Sequence, residues 1–244
     1  MLYVHPFAEE MNKSRRMAAL QSRALAAAGW TVLQLDLYGC GDSEGEFGDA
    51  SWNQWLDDVG AAVAWLRGET GLTPTLWGMR TGCLLAAQAI RGTVPPASEI
   101  LLWQPVISGK RHLQQFLRTR VTGQLTHVEG AARTGTQQLR EQLGRGQHVE
   151  VGGYATSASL ALGMEEAELA LPSTSMRVAW LEVAANARLG LSSVSSQRVE
   201  AWRAAGHSVD VRVVDGLPFW QTQEVAECHP LIDATVQAVD AWRR

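Results

Sequence analysis

Gly78-Met79-Arg80-Thr81-Gly82 stands between an apolar run ending at Trp77 and the apolar stretch Cys83 to Ile90. A buried strand, a turn with glycine two residues to either side of its tip, and a helix together make the arrangement that raises a serine nucleophile at G-x-S-x-G sites. The turn is so tight that only small residues fit at its flanks. Here the tip is Arg80. A guanidinium stays protonated and cannot attack a carbonyl. It can hold an anion: unpaired N–H groups and the dipole at a helix start already favour negative charge. A planar fork added there grips carboxylate or phosphate at two points. The opposing reading is an internal ion pair with Glu9, Glu10 or Glu182 that plugs a dead site.

The other groups that nucleophilic chemistry needs are sparse. After the strand Arg177 to Val183, Glu182 is the one carboxylate on offer as an acid. After the next strand comes Asp215-Gly216-Leu217-Pro218-Phe219-Trp220, where a histidine would be expected and Phe219 stands. Cys83 follows the turn and Ser43 closes a glycine-rich loop, but no histidine can be placed beside either to activate it. His5 and Trp220 could face a ligand near Arg80. The candidate ligand-facing set is therefore Arg80, His5, Met79, Glu9, Glu10 and Trp220. His112, His127, His148, His207 and His229 are read as solvated, their spacing suits no metal site, and no cofactor is called for. Trp103, Trp180 and Trp220 could line a pocket near strand ends; the rest of the 10 tryptophans are core.

These residues need a scaffold, and the periodicity predicts one. Leu2 to Phe7, Thr31 to Leu37, Thr73 to Trp77, Glu99 to Val106, Arg177 to Val183 and Val209 to Val214 read as strands. Between them lie helices with one apolar face: Met17, Leu20, Ala24, Leu25 and Ala28 in the first, Trp52, Trp55, Leu56, Val59, Ala62, Val63 and Leu66 in the second. Ser51 and Gln54 form a capping box ahead of the second. Ser196 to Ala205 and Pro230 to Trp242 complete the set. Alternating strands and helices predict a parallel sheet covered on both faces. From Gly109 to Thr174 the rhythm breaks into a Gln-, Arg-, Thr- and Gly-rich stretch with weakly apolar helices near Lys110–Arg120 and Thr136–Leu143. The expected organisation is a core of residues 1–108 and 175–244 with a cap, 109–174, inserted after the fourth strand.

At 244 residues, 46 % hydrophobic and 19 % charged, the chain is of ordinary globular composition and long enough for a large core. A net charge of −4 gives no basis for nucleic-acid binding. No run of about 18 apolar residues is present for a membrane span. Met11 to Ala28 imitates a signal peptide, but Gln21, Ser22 and Arg23 interrupt it, and an amphipathic helix is the better reading. Three scattered cysteines, with no CxxC among them, indicate a reducing compartment and a cytoplasmic protein.

Asp36-x-x-Gly39-x-Gly41-x-Ser43, His5-Pro6 and the turn around Arg80 together resemble the α/β-hydrolase fold, a doubly wound, mostly parallel sheet. More narrowly, the chain resembles the second class of exosortase A system-associated hydrolases. The residues carrying this are Val4-His5-Pro6-Phe7-Ala8-Glu9-Glu10-Met11-Asn12-Lys13-Ser14-Arg15-Arg16-Met17, Asp36-Leu37-Tyr38-Gly39-Cys40-Gly41-Asp42-Ser43, Leu101-Leu102-Trp103-Gln104-Pro105-Val106 and Phe219-Trp220-Gln221-Thr222. The resemblance implies a Gram-negative bacterium and a locus for exopolysaccharide production and PEP-CTERM protein sorting, in a family whose members also carry arginine at the elbow. It implies further strands ahead of Leu2, by the general plan of the fold, and it implies no particular substrate.

Two functions follow as expectations. The first is an accessory, non-catalytic protein that binds an anionic small molecule, a carboxylate or phosphate, or proteins of the exopolysaccharide and exosortase locus. The alternative is an active hydrolase of esterase or thioesterase type, acting on an acyl or glycan-linked ester through a non-standard nucleophile or an activated water. Fold analogy does not choose between them.

Overall fold

A computed structural model describes residues 1–92, 97–124 and 129–243. His127 lies outside them. The helices and strands form two compact units, residues 1–35, 60–107 and 169–244 in one and residues 36–59 and 108–168 in the other.

The first unit is built on six parallel strands: β1 (Leu2–Val4), β2 (Leu33–Leu35), β3 (Leu76–Met79), β4 (Glu99–Trp103) and, after the second unit's elements, β7 (Arg177–Ala184) and β8 (Ser208–Asp215). Their order across the sheet is β2-β1-β3-β4-β7-β8. The strands alternate between two apolar faces, as expected where both are covered. Tyr3, Trp77, Met79, Leu101, Trp103, Ala179, Leu181 and Val183 share a core with Met17, Ala18 and Leu25 of α1 (Glu9–Ala27) and with Leu231, Ala238 and Val239 of α8 (His229–Asp240). On the other face, α3 (Gly82–Gly92) packs on β1, β3 and β4, and Trp202 of α7 (Ser193–Ala204) meets Trp180 edge to face at 5.6 Å.

Several strands are shorter than the periodicity predicts. β1 stops at Val4, ahead of Pro6, which has no N–H to give a ladder. β4 ends at Trp103 because Gln104 turns into the left-handed region at φ 43°. β3 instead runs on to Met79, where it still pairs with Trp103. α1 begins without a side-chain cap, and Glu9 and Glu10 in its first turn complement the dipole. At its far end Arg243 donates to the Ala28 and Gly29 carbonyls at 2.6 Å each and lies over the Trp30 ring.

The second unit contains the first half of α2 (Trp52–Thr70), α4 (Gly109–Gln124), α5 (Glu129–Gly144), an antiparallel hairpin of β5 (Val149–Val151) and β6 (Tyr154–Thr156), and α6 (Ala158–Glu166). Its interior includes Leu113, Leu117, Leu143, Val151, Leu160 and Met164. Phe47 stacks edge to face on Tyr154 at 5.2 Å, which ties the two chain segments of the unit together. Ser51 does cap α2, accepting from the Gln54 N–H at 3.0 Å, but Gln54 turns its own side chain to Asp58 and the reciprocal bond of a capping box is not made.

Candidate functional site

The strand order places a topological switch point between β1 and β3. From β1 the chain proceeds to β2 on one side, and from β3 to β4 on the other. In doubly wound sheets the crevice beyond the carboxyl ends of such strands is where ligands bind. The two loops that open there are residues 5–8, leading into α1, and residues 80–81, leading into α3.

The β3–α3 turn has the geometry that the G-x-R-x-G spacing predicts. Arg80 sits in the left-handed region at φ 54°. A Cβ on Gly82 would come within 2.2 Å of the Val4 carbonyl oxygen, and one on Gly78 within 2.6 Å of Cys83 Cα. Backbone bonds clamp the tip: Arg80 N–H donates to the Trp103 carbonyl at 2.9 Å, and the Arg80 carbonyl accepts from Cys83 at 3.1 Å and Val106 at 3.3 Å. A glycine inside a helix usually gains about 1 kcal/mol on becoming alanine. At Gly82 the sign reverses. Gly82→Ala is expected to cost at least the roughly 1–3 kcal/mol of an overpacked core, because its neighbour is backbone and cannot rotate away. Chemical denaturation of the variant checks this, and a midpoint at or above wild type contradicts the elbow geometry.

From this tip the guanidinium reaches Glu10. Arg80 Nε donates to both Glu10 oxygens at 3.2 Å and Nη2 donates to Oε1 at 3.0 Å. Both side chains are largely buried, at 14 % and 16 % exposure. The guanidinium carbon lies 5.5 Å from the centroid of the Trp220 ring, a cation–π contact. Glu10 takes one edge of the fork only. Nη1 has no protein partner among the described residues. Trp220 is buried in the core, and its indole Nε1 also lacks a partner there.

The remaining candidates lie in varied surroundings. Glu9, one residue from Glu10, is exposed and turned toward Lys13 at 3.7 Å. Met79 is buried, and its sulfur accepts from the Tyr3 hydroxyl at 3.8 Å. His5 is buried with Nδ1 2.7 Å from the Pro6 carbonyl oxygen. Glu182 lies within β7, paired with Val213, and accepts from Trp180 Nε1 at 2.8 Å on the sheet face opposite the Trp220 core. Beyond β7, Asn186 caps a short 3-10 turn and Asp215 accepts from the Ala187 N–H. Phe219, in the histidine slot, is buried with its ring 5.1 Å from Trp220 and 6.3 Å from Trp103. Trp103 and Trp180 belong to the core, Trp103 donating to Thr235 at 2.9 Å.

Burial pushes the Cys83 thiol far up, and its sulfur faces the Trp103 carbonyl. Ser43 donates to the Asp36 carbonyl within its own turn. His207 accepts from the Met176 N–H, and burial lowers its basicity. His229 is exposed beside Glu227. No cluster of three or more His, Cys, Asp or Glu among the described residues could hold a metal ion. None of their helices is long and apolar enough to cross a membrane. Two unusual residues escaped the sequence reading: Ala8 (φ 51°) at the mouth of α1 and Gln104 (φ 43°) after β4.

Residues 1–148 match the family profile of serine aminopeptidases, S33 (Hydrolase_4). No curated protein matches the chain. Among solved structures, the esterase Est1E from Butyrivibrio proteoclasticus with ferulic acid bound superposes with a TM-score of 0.62 at 14 % identity, over 99 % of this chain and 86 % of its own. An esterase of the bacterial hormone-sensitive lipase family gives 0.56 at 17 % identity, over 100 % and 75 %. Mouse alpha/beta hydrolase domain-containing protein 10 gives 0.56 at 15 %, over 99 % and 89 %. At these identities the likeness is one of fold.

Proposed function

We propose, from the premise that this chain belongs to the serine aminopeptidase S33 family of α/β hydrolases, that it is a non-hydrolytic member which binds an anionic ligand where its relatives hold a serine. One observation carries this: Arg80 stands at the elbow with one guanidinium edge fixed by Glu10 and Nη1 without a partner among the described residues. Arginine has five donors in a rigid fork. Glu10 uses the Nε side and orients the plane over Trp220, so the Nη1 side is presented for a carboxylate or phosphate. Plug and receptor are thus one arrangement, with Glu10 as the positioning residue.

The resemblance of Val4–Met17, Asp36–Ser43, Leu101–Val106 and Phe219–Thr222 to exosortase A system-associated hydrolases supports an accessory role at an exopolysaccharide and PEP-CTERM export locus. None of the three cysteines is in a disulfide, which suits a cytoplasmic setting.

Thermal melts against increasing inorganic phosphate test the reading. Ligand at a hundredfold excess over Kd stabilises by about 2.7 kcal/mol, which for a protein of this size is a rise of roughly 5–10 °C. The rise saturates in wild type. Arg80→Ala keeps only the gradual, non-saturating gain that phosphate gives any protein by exclusion from its surface. Equal rises in melting temperature with phosphate in the two proteins, each measured from its own unliganded value, refute the proposal.

A further inference from the structure

We infer that the outer edge of β8 is an interface between two copies of this chain, paired antiparallel about a two-fold axis at Val211. β8 ends the sheet order and pairs with β7 alone among the described strands. The register shows which backbone groups that pairing leaves over. Ser208 N–H donates to the Met176 carbonyl and Gly216 N–H to the Ala184 carbonyl, both at 2.9 Å, and the register between them is unbroken. In a parallel ladder the N–H and C=O of one residue point to the same neighbour, and the direction alternates along the strand. Even-numbered residues of β8 therefore face β7, while Val209, Val211 and Val213 face outward. Arg203 Nη2, which donates to the Val209 carbonyl at 3.0 Å, marks that side. Val211 and Val213 are half-buried, and among the described residues no backbone group pairs with theirs. An edge of this kind is a template for a further strand.

The side chains say which strand fits. Asp210 and Arg212 lie on the α8 face: Arg212 Nη1 donates to the Ala234 carbonyl and to Gln237 Oε1 at 3.1 Å, and Nε donates to Asp210 at 3.0 Å. Both stay partly exposed, Arg212 at 27 % and Asp210 at 44 %. With the axis at Val211, Asp210 of each copy stands opposite Arg212 of the other. These two residues turn their own N–H and C=O to β7, so they make the non-hydrogen-bonded pairs, where side chains come closest. The outward residues make the hydrogen-bonded pairs, Val211 with Val211 and Val209 with Val213. The Val209 carbonyl keeps a second lone pair beside Arg203 for this. Val211 and Val213, level with Trp180 and Glu182, lie on the α7 face, where valine then meets valine in a favourable cross-strand pair. Moving the axis by one residue sets Arg212 against Arg212, or Asp210 against Asp210, and like charges directly opposite disfavour both. Charge and shape thus make the strand complementary to itself about Val211, as an isologous contact requires.

Light scattering of the full chain over a range of concentrations tests the interface. The mass should rise with concentration from the 26.6 kDa of one chain toward twice that value. Asp210→Arg sets like charges opposite each other twice and is expected to raise the dissociation constant by about tenfold or more. Val211→Pro removes an outward N–H at a place where an edge strand tolerates proline, and should leave a monomer. Both variants should keep the circular dichroism spectrum of wild type. Asp210→Arg/Arg212→Asp exchanges the charges in both copies and should regain the dimer. Wild type that stays monomeric at every concentration overturns the proposal, as does a dimer that neither single variant weakens. Loss in the single variants without recovery in the exchanged one overturns the pairing about Val211.

Discussion

Glu10→Met is expected to lower the melting temperature by roughly 10 °C, and the double variant Glu10→Met/Arg80→Met to restore most of it. Removing one partner of a buried ion pair costs about 3–5 kcal/mol, chiefly because the other charge is left buried without compensation, and each kcal/mol moves the melting point by about 2–4 °C at this chain length. The two single variants should differ. Glu10 lies in the first turn of α1, where a carboxylate is favoured by the helix dipole even when Arg80 is gone. Arg80 stands just ahead of α3, whose N-terminal end repels a cation, so stranding the arginine costs more, by about 1 kcal/mol. Arg80→Met should therefore melt above Glu10→Met, and the pair should show strong coupling in a double-mutant cycle. Additive single losses would mean that the bonds between Glu10 and Arg80 contribute nothing.

The second large effect is in catalysis. Wild-type protein is expected to take up no serine-directed phosphonate probe and to leave p-nitrophenyl esters uncleaved. Arg80→Ser should not rescue it. That substitution rebuilds the G-x-S-x-G turn, but among the described residues no histidine stands in the slot from which a base would act: Phe219 occupies it among aromatic rings, and Glu182 is held inside β7 by Trp180. Loss of a triad typically lowers kcat by about 10⁶, leaving roughly 10³–10⁴ over water from oxyanion stabilisation and binding. Cys83 offers no substitute nucleophile, because a fully buried thiol with raised pKa supplies little thiolate. Stoichiometric labelling of wild type, mapped to Ser43 or any other serine, would overturn the non-hydrolytic reading, as would labelling of Cys83 by a thiol-directed substrate analogue.

The elbow was legible because its signal is local: two glycines, a strand before and a helix after, each with a steric reason visible in five residues. The alternation of strands and helices was legible for the same reason, since each buried strand of the sheet is an apolar run closed by turn residues. Choosing Glu10 over Glu9 was not. The two differ by about 100° around α1, and only the placement of α1 against the β3–α3 turn decides which of them faces Arg80. Gln104 carries no signal for its left-handed backbone, which follows from how β4 ends beside β7. The hairpin at 149–156 did carry one, Gly152-Gly153 between Val149, Val151 and Tyr154, and both glycines have positive φ (58° and 84°) as a tight two-residue turn requires. It was hidden by the polar composition of the surrounding stretch, as was the cap of α6, where Ser157 accepts from the Leu160 N–H at 3.0 Å.

The most direct measurement is nitrogen-15 NMR of the Arg80 guanidinium, its signals identified by their loss in Arg80→Ala, during titration with inorganic phosphate. Glu10 holds Nε and the ligand is assigned to Nη1, so the Nη1 protons should shift and slow their exchange with water while the Nε–H signal stays nearly fixed. Loss of the Nε–H position with added phosphate would show that the anion displaces Glu10, and guanidinium signals that do not respond at all would show that Arg80 is no receptor. Either result contradicts a site in which Glu10 positions the arginine and the ligand takes its open edge.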